Sequence, residues 1–118
     1  MARALQLYAD DILEALSHVE EDIVGHDFAT FQGDRRTRQL VERNLEIISE
    51  ASRHLPEDIK KSEGGIDWKG IANIGNILRH EYHGSRAEIL WEVCRGDLKP
   101  LKAAIRRVRR VLLARKKD

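Results

Sequence analysis

Side chains that can move protons and hold phosphates cluster in the ten residues GNILRHEYHG, which begin at position 75. Asn76 and His80 are four residues apart, as are Arg79 and His83, so each pair shares one face of a helix. Histidine exchanges protons near neutral pH, arginine can bind a phosphate through two hydrogen bonds, and Tyr82 offers a hydroxyl. Together these groups suit phosphodiester chemistry.

The same residues also fit a purely structural role. Basic side chains are favoured at the C-terminal end of a helix by the helix dipole, so this cluster can be a polar helix terminus. No metal site is predicted, because His80 and His83 lack the His-Glu-x-x-His pattern and no thiol pair accompanies them. Spacing alone leaves catalysis and helix termination both open.

Composition indicates one domain covering residues 1–118. The chain is 42% hydrophobic and 35% charged, with two prolines and eight glycines, which favours an all-α protein over a sheet protein. Cys94 is the only cysteine and lies on an apolar helix face, so it is expected in the core rather than as a nucleophile. With neither a disulfide nor a long apolar stretch, we expect a cytoplasmic protein.

Hydrophobic periodicity predicts an antiparallel bundle of four to five helices. The first helix ends before Gly25, and the second ends before Pro56, because the residue before proline disfavours helix. Ser85 begins a capping-box pattern and is expected to open the fourth helix. The predicted helices run over residues 5 to 23, 34 to 55, 67 to 84, 85 to 95, and 97 to about 112.

Connections and caps complete the predicted fold. Phe28 and Phe31 are expected in a polar connection, where they would cover the core. The segment PEDIKKSEGGID is predicted to be a flexible loop, because it is charged and contains a glycine pair. Asp67 is expected to cap the third helix and Asp97 the fifth.

Positive charge is concentrated near the C-terminus. Residues 99 to 118 hold nine lysines and arginines against one aspartate, a net charge of +8, so residues 1 to 98 carry −7. The last helix can therefore present a basic stripe that attracts a polyanion such as RNA. It can equally be a solvated face whose cations pair with acidic neighbours. Composition leaves both interpretations open.

Several segments together resemble the HepT-type toxins of the HEPN superfamily (higher eukaryotes and prokaryotes nucleotide-binding). They are a leucine-rich first helix, RNLEIISEA, IDW, GNxLRHEY and ILWEVCRGDLKPL, spread over residues 5 to about 112. The resemblance implies an α-helical bundle that forms a homodimer with a cleft between its subunits. It further implies a metal-independent endoribonuclease, without a cofactor, that acts as the toxin of a type II or VII toxin–antitoxin system on mRNA or tRNA.

The family motif is arginine, four residues, histidine, one residue, tyrosine, and it transfers only in part. Its histidine falls on His80 and its tyrosine on Tyr82, and the polar residue after the arginine falls on Asn76. The arginine itself falls on Gly75. Arg79 is the expected substitute as phosphate holder, because long helical side chains lean toward the N-terminus and a glycine one turn earlier leaves room.

The glycine admits a second interpretation, since it also allows a helix of the second subunit to approach closely. Arg43 and Glu50 are seven residues apart on one helix face and match family positions. They are expected to form a charge pair that positions the third helix, with direct participation in catalysis as the alternative, and His83 is a further supporting residue.

The resemblance also implies a partner. A minimal nucleotidyltransferase antitoxin of the MntA type would attach AMP to Tyr82, although this tyrosine can instead simply pack on the apolar face. The alternative to a nuclease is a catalytically degenerate HEPN module. Such a module would bind a nucleotide, RNA or the nucleotidyltransferase without turnover.

Overall fold

All regular structure is helical in the computed structural model, which describes residues 3–80 and 86–117. The predicted all-α class is therefore confirmed, while the homodimer stays a prediction. The elements are α1 (Leu5–Ile23), α2 (Phe28–Gly33), α3 (Arg35–Ser52), α4 (Glu57–Ser62), α5 (Trp68–His80), α6 (Arg86–Glu92), a π-helical segment (Val93–Asp97) and α7 (Leu101–Lys117).

The long helices pack around α1 and α3. Helix α1 lies against α3 and α7, and α3 in turn carries α5, while α6 contacts α2 and α3. Apolar residues at helical spacing meet at these contacts, and burying each large side chain is worth about 1.5–3 kcal/mol. Those almost fully buried include Ile12, Phe31, Leu45, Ile48, Leu101 and Ile105. The bundle thus fixes α5, the helix that bears the predicted chemistry, through α3.

The predicted boundaries of the first two long helices hold closely. Gly25 follows α1 with a φ of +80°, a conformation that glycine adopts without steric cost. Asp34 caps α3, because its carboxylate accepts a hydrogen bond of 3.1 Å from the Thr37 backbone N–H. Helix α3 ends at Ser52, earlier than predicted, although Leu55 is still buried.

The polar connection that bears Phe28 and Phe31 contains a short helix that was not predicted. These residues belong to α2, which begins with a reciprocal capping box: the Thr30 backbone N–H donates to Asp27 Oδ1 at 2.9 Å, and the Asp27 backbone N–H donates to Thr30 Oγ1 at 3.0 Å. Phe31 is fully buried, with its ring centroid 5.1 Å from that of Trp91, while Phe28 is only partly buried. Phe31 therefore covers the core, as expected, but from a helix.

The predicted loop PEDIKKSEGGID was wrong in its first half, which forms α4. Pro56 precedes the helix, two acidic residues occupy its first turn and two lysines its last, the arrangement that the helix dipole favours. Ile59 is only 2% exposed and anchors this short helix to the core. The charged residues of this segment therefore stabilise a helix, although they were interpreted as a sign of a loop.

Helix α7 begins at Leu101, later than the predicted cap at Asp97 would allow. Asp97 belongs instead to the π-helical segment, in which the Leu98 backbone N–H donates to the Val93 carbonyl at 3.1 Å. Pro100 has no backbone N–H and disfavours helical conformation in the residue before it. The helical structure is therefore interrupted between the π-helical segment and α7.

Ion pairs attach α7 to α1 and to the α4 region. Among the described residues, four of its cations contact carboxylates, so pairing with acidic neighbours, one of the two interpretations of the basic C-terminus, is observed for these four. The pairs are Lys102 with Glu20, Arg107 with Glu63, Arg109 with Asp10 and Arg115 with Asp58. Across residues 3–80 and 86–117, no helix is long and apolar enough to cross a membrane.

Candidate functional site

The start of α5 is fixed by a cap and by an anchored aromatic ring. Asp67 Oδ1 accepts a hydrogen bond of 3.0 Å from the Gly70 backbone N–H, which confirms the predicted cap. The indole N–H of Trp68 donates to the carbonyls of Lys60 and Glu63 at 3.0 and 3.1 Å. The N-terminal end of α5 is therefore held against the α4 region.

One face of α5 is buried and the opposite face is open. The buried residues are Ile71, Ile74, Gly75 and Leu78. Asn76 and His80 are both exposed and lie one turn apart, as their spacing predicted. The imidazole is therefore accessible to a large substrate, and it stands in the last turn of the helix.

Arg79 turns back over Gly75. A Cβ atom added to Gly75 would lie 3.5 Å from Arg79 Nη1 and 3.8 Å from Ser49 Oγ. The guanidinium thus occupies space beside the glycine, on the N-terminal side of its own Cα, as expected from the lean of helical side chains. The helix that approaches Gly75 in this structure is α3 of the same chain, whereas close approach by a second subunit stays a prediction.

Helices α3 and α5 are joined at the carbonyl of Ala72. Ser49 Oγ donates to this oxygen at 2.8 Å, and Arg53 donates from Nη2 at 2.7 Å and from Nε at 3.2 Å. Ser49 is buried, so this hydrogen bond also satisfies a hydroxyl that would otherwise be costly to bury. The sequence interpretation missed Ser49 and Arg53, although a serine between the buried Ile48 and Ala51 is a signal that could have identified the first.

The predicted charge pair between Arg43 and Glu50 was wrong. Arg43 Nη1 lies 3.6 Å from Glu46, and Glu50 lies 3.7 Å from Arg53 and 3.3 Å from His54. Residues seven apart are separated by about 10.5 Å along a helix, so partners three or four apart are nearer. Arg43 and Glu50 are 71% and 66% exposed, and such pairs contribute little stability. Among the described residues, Ser49 and Arg53 position α5 in their place.

The remaining predictions for the motif fall on residues 81–85. Tyr82, His83 and the Ser85 cap lie outside the described residues, and their roles stay predictions. Within the described ranges, no group of three or more His, Cys, Asp or Glu residues could hold a metal ion.

Cys94 is buried and free, which confirms its expected place in the core. Burial raises the pKa of its thiol to about 12, because the thiolate is poorly solvated there. The reactive thiolate form is therefore suppressed.

The helical bundle, with a histidine and an asparagine one turn apart on the open face of α5, is consistent with the HEPN fold that the sequence resembles. The family model described as "Ribonuclease HepT-like" matches residues 12–108. The chain belongs to the HepT-like ribonuclease family.

Relatives match over nearly the whole chain. The "Probable ribonuclease HepT" of Thermococcus cleftensis is 34% identical, over 93% of this chain and 100% of the relative. The "Putative RNase MJ1380" of Methanocaldococcus jannaschii is 32% identical, over 87% of this chain and 94% of the relative. The "Putative RNase TTE0752" of Caldanaerobacter subterraneus is 30% identical, over 86% and 90%. No solved structure matches the chain.

Proposed function

We propose that this protein is a metal-independent endoribonuclease in which His80 transfers protons. The observation that carries the proposal is the exposed His80, one turn from Asn76 and adjacent in sequence to Arg79, whose guanidinium lies beside Gly75. Membership of the HepT-like ribonuclease family supports it. The relatives named as ribonucleases support the same reaction class.

The chemistry is an internal transfer of the phosphoryl group. The ribose 2′-oxygen bonds to phosphorus and loses its proton, while the bond to the 5′-oxygen breaks and that oxygen gains a proton. The products are a 2′,3′-cyclic phosphate and a 5′-hydroxyl. His80 supplies proton transfer, which is typically worth 10²- to 10⁴-fold in rate.

Arg79 and Asn76 complete the proposed site. The guanidinium of Arg79 binds the non-bridging phosphate oxygens, whose negative charge grows in the transition state. Asn76 lies one turn before His80 and orients the phosphate or the attacking hydroxyl through its amide. Charge stabilisation and proton transfer thus come from a single helix turn and its neighbour.

The family resemblance supports the biological setting that we propose. The active form is a homodimer with an RNA-binding cleft between its subunits, and its substrate is mRNA or tRNA. The protein acts as the toxin of a toxin–antitoxin pair. An MntA-type minimal nucleotidyltransferase silences it by attaching AMP to Tyr82, with His83 as a supporting residue.

The test is cleavage of RNA by purified protein in EDTA. We expect His80→Ala to reduce the rate by about 10²- to 10⁴-fold, and Arg79→Ala and Asn76→Ala to reduce it as well. Asn73→Ala is the matched control, because Asn73 is an exposed asparagine one turn before Asn76 on the same helix. Intact RNA after incubation with the wild-type protein would contradict the proposal.

A second candidate is a HEPN module that binds without turnover. It is favoured by one observation, the glycine at position 75 where the family motif has arginine. Fluorescence anisotropy with labelled RNA separates the two candidates. Binding without cleavage, unchanged by His80→Ala, would favour the module.

A further inference from the structure

Arg86, the first residue of α6, contacts the other two helices that define the site. Its Nη2 atom donates a hydrogen bond to the carbonyl of Leu78 in the last turn of α5. Its Nη1 atom lies 3.3 Å from Glu42 Oε1 on α3. One guanidinium therefore connects α3, α5 and α6 at a point two residues before His80.

The α5 contact is made to a backbone carbonyl in the last described turn of the helix. The C-terminal end of a helix is the negative end of its dipole. A guanidinium at Leu78 both donates to this carbonyl and places positive charge beside that end. The last described turn of α5 is thereby tied to α6.

The α3 contact holds the guanidinium in place. Glu42 Oε1 is buried and has no hydrogen-bond partner within the described part of the chain, so its charge is offset by the nearby cation of Arg86. The Glu42 side chain is 22% exposed and that of Arg86 48%, so the main effect of the contact is to orient the guanidinium. The contact links Arg86 to α3, so Glu42 helps to hold the guanidinium at the Leu78 carbonyl.

We propose that Arg86 and Glu42 are a positioning pair for the ribonuclease reaction, which orients His80 by fixing the last turn of α5. The inference rests on the proposed function of His80. Arg86 acts through the Leu78 carbonyl and does not itself contact RNA. Because small displacements of a catalytic group are costly, loss of the pair lowers the rate of the chemical step more than it weakens substrate binding.

The kinetic experiment compares Arg86→Met, Arg86→Lys and Glu42→Gln with wild-type protein. Arg36→Met is the control, since Arg36 is an exposed arginine on α3. We expect kcat for RNA cleavage to fall about 10-fold or more in Arg86→Met, with KM within about 2-fold, and to fall less in Arg86→Lys, which retains the charge but not the forked geometry. Unchanged kcat in Arg86→Met, or a loss confined to KM, would overturn the proposal.

A second measurement does not depend on activity. Hydrogen–deuterium exchange should become faster in the last turn of α5 in Arg86→Met and Glu42→Gln, while exchange in α1 stays as in the wild type. Faster exchange throughout the chain would indicate a general structural role and overturn the proposal. If Arg86→Met does not fold, Arg86→Lys and Glu42→Gln decide the question. Wild-type protein that leaves RNA intact would instead overturn the proposed function, and exchange would still show whether Arg86 holds α5.

Discussion

The Nη1 atom of Arg79 lies 3.5 Å from the point that a Cβ atom would occupy on Gly75, one turn earlier on α5. The glycine and the arginine thus form one arrangement, because the missing side chain at position 75 leaves space for the cation from position 79. The family motif places its arginine at position 75. In this chain, Arg79 from the following turn places its guanidinium beside that position.

Substitutions of increasing size at position 75 should distinguish an effect on stability from an effect on RNA cleavage. In Gly75→Ala the new methyl group meets Arg79 Nη1 and Ser49 Oγ at ordinary contact distances, so the gain in helix propensity, up to about 1 kcal/mol, should raise the melting temperature. Gly75→Leu must displace the guanidinium and should reduce RNA cleavage. Thermal unfolding and the EDTA cleavage assay check both. Full activity in Gly75→Leu would show that the place of Arg79 beside the glycine is irrelevant to catalysis.

The cap of α5 should be needed for stability. Asp67→Ala removes the acceptor of the Gly70 N–H and should cost about 1 kcal/mol in the free energy of unfolding. Asp97→Ala is the matched control, since Asp97 is exposed and lies within the π-helical segment rather than at a helix start. Its effect should stay within about 0.5 kcal/mol. Urea unfolding measures both, and an equal loss in the two variants would contradict the assigned caps.

The contact between Glu63 and Arg107 should make stability depend on pH. Two hydrogen bonds from Arg107, at 2.9 and 2.7 Å, hold the pKa of Glu63 below its ordinary value of 4.5. A lowered pKa in the folded state means that the contribution is present above about pH 4.5 and is lost as the pH falls below it.

The corresponding measurement is the free energy of unfolding from about pH 7 down to about pH 3. In Glu63→Gln, the free energy of unfolding should fall less over the acid range than it does in the wild type. Glu57→Gln is the control, because Glu57 is 82% exposed and its contact with Lys60 is longer, at 3.6 Å. Identical pH profiles for wild type and Glu63→Gln would refute the assignment.

Cys94 should be chemically inert in the folded protein. Its pKa of about 12 leaves almost no thiolate near neutral pH, and the side chain is buried. Labelling with a thiol reagent should therefore proceed only as fast as the protein opens, and it should accelerate in denaturant. Rapid labelling of native protein at neutral pH would place the thiol at the surface.

The raised pKa of Cys94 also predicts the direction in which stability changes with pH. The folded state keeps the thiol protonated, so this group destabilises the fold as the pH rises above the ordinary value of about 9. Cys94→Ala should remove that alkaline decline in the free energy of unfolding. The same variant provides a label-free control for the reactivity measurement.

Hydrophobic periodicity was sufficient to predict the long helices and the exposed face of α5. It was not sufficient for α2 and α4, because six residues complete fewer than two turns and show no repeat. The contacts from Ser49, Arg53 and Arg86 were missed because they end on backbone carbonyls of another helix, which leave no pattern in spacing. The Arg43 and Glu50 pair was wrong because a shared helix face does not select between a partner two turns away and nearer ones.

The four ion pairs of α7 have a consequence for encounter with RNA. Arg107 and Arg109 each lie within 3 Å of a carboxylate, so each presents a dipole, rather than an isolated cation, to a distant strand. The whole chain carries a net charge of only +1. Collision with RNA should therefore gain less from long-range attraction than a full set of unpaired cations on α7 would give, and its rate should depend less on salt.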